Sequence, residues 1–128
     1  MEILFLVGRI VFGLYLLYNA YNHFRNLDGL AGYAAMKGIP APQAMTALSG
    51  LLLVVGGASI LSGFEPVVGV GAVALFLVPV TLMMHAFWAA PAEMAGMEKV
   101  QFMKNAALLG AALMLLAIPQ PWPLALGR

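Results

Sequence analysis

The residues able to do chemistry in this chain are few and fall in three short groups. Asn19 and His23 stand four apart, Thr81, His85 and Trp88 four and three apart, and Gln101, Lys104 and Asn105 lie close together. Such spacings put side chains on one face of a helix. Imidazole, ammonium and carboxamide groups supply hydrogen-bond donors and acceptors, and the imidazoles can exchange a proton near neutral pH. Together they suit a polar headgroup better than a bond-breaking reaction. Neither H-E-x-x-H nor G-x-S-x-G with triad partners is present. With two histidines, no cysteine, and only Asp28, Glu93 and Glu98 as nearby carboxylates, no metal site is expected.

Each of these residues also has a plainer role. His23 and Trp88 suit the membrane interface, and Lys104 can snorkel from a first helical turn. His85 is the deciding case. Aimed across a bundle toward Lys104 and Asn19 it is a site residue; aimed past Trp88 to water it is an anchor.

The elements that must carry these groups follow from composition. The 128 residues are 63% hydrophobic and 9% charged, where soluble domains carry roughly 25% charged residues. So few charges cannot cover a soluble fold, and the net charge of +1 recruits no nucleic acid. Four apolar stretches, about 3–24, 44–62, 67–88 and 102–119, approach the roughly 20 residues of a spanning helix. Continuous apolar runs in lipid mean helices. The expected fold is all-α: one integral membrane domain over 1–128, an up-down-up-down four-helix bundle. Three loops connect the helices, the first running through Pro40 and Pro42, the second being "SGFEP".

Antiparallel order brings the ends of the first and third helices beside the start of the fourth. The polar groups therefore gather at one mouth, which intramembrane ionisable groups favour over lipid contact. Arg25, Lys37, Lys99 and Lys104 lie in or beside loops one and three. The positive-inside rule makes those loops cytoplasmic and puts both termini outside. Met1 onward reads as mature chain. At the opposite mouth, Arg9 and Glu65 are expected to form a structural ion pair. Trp122 is expected to anchor the proline-rich tail at the headgroups. Gly50, Gly56 and Gly57, and Ala106 with Gly110, are expected to let helices approach closely.

The order of these features resembles the DoxX family of small four-helix membrane proteins. The resemblance is carried by "GRIVFGLYLLYNAYNHFRN", "GYAAMKGIPAPQAMTALSGLLLVVGGASILSGF", "HAFW" and "MEKVQFMKNAALLGAALML", nearly the whole chain. It places Arg9, the His85–Phe87–Trp88 group and the Lys104–Asn105 pair on family positions. Two positions depart from it: His23 stands where many members have lysine, and Leu51 to Val55 hold no carboxylate where many have glutamate before the paired glycines. The second departure removes a buried acid from the second apolar helix. The family is similar to the small membrane subunit of an archaeal thiosulfate:quinone oxidoreductase. The resemblance thus implies a prokaryotic inner-membrane helper, with a soluble or membrane redox partner and no redox cofactor of its own. On that basis a quinone or lipid is expected in a pocket at the polar mouth. Lys104, Asn105, His85, Asn19 and His23 would face its head, and Tyr18, Phe87 and Trp88 its apolar body. Two other classes fit the same residues. One is an assembly scaffold docking a partner through its loops; the other is a transporter, which four short helices would form only as a homo-oligomer.

Overall fold

A computed structural model describes residues 1–127 and is all-helical among them. Its elements are α1 (Glu2–Arg25), α2 (Leu27–Met36), α3 (Pro42–Ser62), α4 (Pro66–Met84) and α5 (Ala92–Met114), with 3₁₀ turns at Phe87–Ala89 and Leu115–Ala117. Four stretches are long and apolar enough to cross a membrane: Glu2–Arg25, Pro42–Ser62, Pro66–Ala89 and Ala92–Ala117. The protein is an integral membrane helical bundle. Large apolar side chains such as Ile3, Leu14, Leu51, Leu75, Val100 and Met103 face outward from these helices, as lipid contact requires.

The element boundaries differ from the sequence reading in three places. The first loop contains α2, because "LDGLAGYAAM" is largely helix-forming and lacks proline. α5 starts at Ala92, ten residues earlier than expected, with Pro91 as its N-cap and Glu93 in its first turn. α4 stops at Met84, so His85 is non-helical (φ −120°, ψ 37°) and "FWA" forms a separate turn.

α1 packs on α3, α3 on α4, and α4 on α5. Leu16, Ala20, Leu53, Ile60, Val70, Val73, Leu77 and Ala112 form the shared core. The α1–α3 contact is close enough to need glycine. A Cβ on Gly13 would lie 2.7 Å from Leu61 Cβ and 3.0 Å from Gly57 O. One on Gly57 would lie 3.0 Å from Gly13 O. Gly50 and Gly56 are equally tight, whereas Gly110 has open space around its Cβ position and Ala106 is exposed. The expected small-residue contact of α5 is therefore absent from the bundle interior. That face of α5 turns away from α4, the long helix it packs on.

The mouth where α3 turns into α4 is tied by Arg9, which is 2% exposed. Its Nε donates to Ile60 O at 3.1 Å, Nη2 to Leu61 O at 3.0 Å and Nη1 to Pro123 O at 2.7 Å. The guanidinium thus caps the end of α3, where carbonyls lack helical partners, and fastens the C-terminal tail to it. Gly63 completes the cap at φ 75°, and a Cβ there would meet Arg9 Nη2 at 2.7 Å. The expected Arg9–Glu65 pair does not form: Glu65 is exposed, and its backbone carbonyl instead accepts from Ser59 Oγ at 2.9 Å. The α3 carbonyls are already collected at one point, so they outcompete a carboxylate exposed to water. Trp122 is no headgroup anchor either. It is 1% exposed, packs edge-on to Phe5 at 5.3 Å, and lies 5.7 Å from the Arg9 guanidinium.

Candidate functional site

The opposite mouth centres on Glu98, in the second turn of α5 and 2% exposed. A carboxylate that deep is costly unless donors surround it. Two segments supply them. Tyr33 on α2 and Lys37, the residue that caps its C-terminal end, stand four apart, so both reach the same point. The Tyr33 hydroxyl donates to Glu98 Oε1, and Lys37 Nζ lies 3.2 Å from the same oxygen. His85 Nδ1 lies 2.7 Å from the other oxygen, Oε2. Among the described residues, Lys37–Glu98 is an ion pair, and the His85–Glu98 contact is a hydrogen bond that carries opposite charges only when the imidazole is protonated.

Local structure explains how His85 arrives there. Had α4 continued, the imidazole would have stayed on that helix's own face. Ending at Met84 frees the backbone to swing His85 toward α5, and Phe87 N closes the turn on His85 O at 2.9 Å. The two sequence alternatives for His85 are both replaced: it points neither at Lys104 and Asn19 nor past Trp88, but at Glu98. Its Nε2 makes no hydrogen bond to a described residue, and the side chain keeps 17% exposure.

The two α2 groups feel the cluster. Burial, then the hydrogen bond to Glu98, holds the Tyr33 hydroxyl above its ordinary 10.0. For Lys37, burial pulls downward, but the Glu98 hydrogen bond and the charges of Tyr33 and Glu98 outweigh it and hold the ammonium above 10.5. Both therefore keep their protons at neutral pH: Tyr33 remains a donor and Lys37 a cation.

Beside the cluster stands an aromatic triangle. Phe87, Trp88 and Phe102 meet edge-to-face with centroids 5.2, 5.4 and 5.7 Å apart, the geometry aromatic quadrupoles favour. Trp88 is 61% exposed, and Lys99 Nζ sits 5.8 Å from the Phe87 ring. The mouth thus places a polar, half-open imidazole next to an apolar aromatic face.

The remaining candidates scatter. Lys104 is exposed and donates to Gln101 Oε1 at 2.8 Å on its own helix. Tyr18 is exposed on the outside of α1, so it does not wall the mouth. Asn19 and His23 are bound within α1: Asn19 Nδ2 to Tyr15 O, and His23 Nδ1 to Asn19 O, each at 2.8 Å. The His23 ring packs edge-on to Phe76 at 5.7 Å. Asn105 is buried on the same face of α5 as Glu98, two turns further in. Of the eight ligand candidates, His85, Phe87 and Trp88 come together. Sequence reasoning missed Tyr33, Lys37 and Glu98 as a group, having placed all three in loops.

Two concave surfaces lie elsewhere. One of about 640 Å³ runs along the outside of α2 and the start of α3, from Asp28 and Ala31 to Gln43. Another of about 390 Å³ lies between the α3–α4 turn and the tail, at Gly63 to Pro66 and Gln120 to Gly127.

The DoxX family model matches residues 4–86. The matched stretch spans α1 to α4 and ends just past His85, so Glu98 and all of α5 lie beyond it. No curated protein and no solved structure matches the chain.

Proposed function

The chain belongs to the DoxX family of small membrane proteins, and on that premise we propose that it is an accessory subunit of a membrane redox system that holds a quinone-type headgroup against the His85 mouth. The observation that carries this reading is the pairing of His85 with Glu98 beside the Phe87–Trp88–Phe102 triangle. A hydrogen-bonding ring nitrogen next to a lipid-level aromatic face suits a flat polar head on an apolar body. Glu98, Tyr33 and Lys37 hold the imidazole rather than touch the ligand. Nothing on this surface shuttles electrons, so oxidation or reduction of the ligand belongs to a partner. Lys104 and Tyr18 leave the proposed site, since both side chains point away from it.

The test is photo-crosslinking with an azido-quinone in membranes. Wild type and Lys104→Ala should label equally. His85→Ala and Trp88→Ala should lose most of the label. Equal labelling in all four overturns the reading and favours a scaffold working through its loops.

A further inference from the structure

The proposed site leaves open which redox form of the headgroup it takes, and the hydrogen-bond geometry around Glu98 answers this. A neutral imidazole has one N–H donor and one lone-pair acceptor, and its partner fixes which nitrogen is which. Glu98 accepts at both oxygens. Oε1 already receives the Tyr33 hydroxyl and faces the Lys37 ammonium, so charge is balanced before His85 is counted. Oε2 lies 2.7 Å from His85 Nδ1, and a carboxylate there calls for Nδ1–H. The proton of the neutral ring is thereby committed to Nδ1. Nε2, unbonded to any described residue and on a side chain that is 17% exposed, carries the lone pair.

Resting on the reading above, we propose that the mouth is built for the hydroxyl-bearing, reduced form of the headgroup, a quinol, whose O–H donates to His85 Nε2. A quinone carbonyl would bring a second acceptor against that lone pair. Glu98 is the positioning residue that sets this preference, and Tyr33 and Lys37 hold its carboxylate in register.

The same geometry predicts how to invert the choice. In Glu98→Gln, the amide oxygen stays on the side of Tyr33 and Lys37, since an NH2 there would face an ammonium. The amide NH2 then faces His85 Nδ1, which must become the acceptor. The ring proton moves to Nε2, and the site becomes a donor to a carbonyl.

Two readouts separate the parts. The first is 15N NMR of histidine-labelled protein in nanodiscs above the imidazole titration, with His85 assigned by its loss in His85→Ala. Wild type should show the Nδ1–H form of His85 and Glu98→Gln the Nε2–H form. The second is binding of a short-chain ubiquinol analogue, kept reduced under anaerobic conditions, against its quinone. Wild type should bind the quinol about tenfold more tightly, the worth of one hydrogen bond, and Glu98→Gln should lose or reverse that preference. An Nε2–H form in wild type overturns the inference, as does equal binding of the two redox forms. Absence of binding by either form, with the tautomers as stated, overturns the proposed function instead and takes the quinol preference with it.

Discussion

The two mouths of the bundle solve opposite problems. At one, a buried anion gathers side-chain donors: Tyr33, Lys37 and His85 converge on Glu98. At the other, a buried cation gathers backbone acceptors: Ile60, Leu61 and Pro123 receive Arg9. Backbone carbonyls neither titrate nor change tautomer, so the three bonds that Arg9 makes to them serve as a clamp. Side-chain donors can shift protons and rotate, so the Glu98 arrangement can respond to what touches it. A functional surface needs the second property, and it is at the Glu98 mouth that an imidazole nitrogen is left over.

The largest effect should come from breaking the clamp. Arg9→Ala leaves the carbonyls at the end of α3 and the tail without their buried donor. It should cost about 3–5 kcal/mol, since each buried carbonyl left without a donor costs about 1–3 kcal/mol, and free the tail. Thermal unfolding in detergent and protease cleavage after Pro119 measure both. A tail as protected as in wild type would mean that Trp122 packing and the Leu126 N–H to Ser62 O hydrogen bond hold it without Arg9, and the contrast between the mouths would weaken.

Glu98→Ala comes next, at about 2–3 kcal/mol, because the three donors it strands are only partly buried and can turn to water. The tail should stay protected in this variant, since that mouth is untouched. Loss of tail protection would show that the two ends are coupled through the bundle rather than independent.

These effects centre partly on residues that the sequence did not single out, and the reason is specific. The membrane fold was legible because continuous apolar runs leave no other way to satisfy the backbone. His85, Phe87 and Trp88 were legible because an imidazole among apolar residues stands out. Glu98 was not, because a glutamate in "AGMEKVQ" reads as part of a charged connection until α5 is known to begin at Ala92. Its recoverable signal was the seven-residue stripe Glu98, Asn105, Ala112, which the structure buries on one face. Tyr33 and Lys37 carried a similar signal, four apart in a stretch free of proline. Arg9 was legible as a mouth residue but not in its partners. Sequence shows side chains that can pair with it, and among the described residues its hydrogen bonds go to backbone carbonyls.

The pH response should also separate the mouths. Tyr33 and Lys37 both have folded values raised above 10.0 and 10.5. A raised folded value contributes stability that is complete below the unfolded value and lost as pH climbs through the folded one. The melting temperature should therefore hold steady from neutral pH upward and fall above pH 10. Tyr33→Phe combined with Lys37→Met should start lower and fall less steeply. Arg9→Ala should start lower and fall as steeply as wild type, because a guanidinium and backbone carbonyls do not titrate there.

The smallest effect is the most useful for drawing the boundary of the site. Lys104 carries a charge near the same mouth and sits beside a buried asparagine, which made it a natural headgroup ligand. Its ammonium is instead spent on Gln101 Oε1, three residues back on an exposed face of α5. An exposed contact of that kind is worth little, so Lys104→Ala should change stability by less than about 0.5 kcal/mol. It should also leave the His85 tautomer and the quinol preference unchanged. If Lys104→Ala lowers quinol affinity as far as His85→Ala does, the ligand reaches around α5 to its exposed face. The responsive region would then extend well beyond the Glu98 cluster, and its contrast with the compact Arg9 clamp would be one of size as well as of proton chemistry.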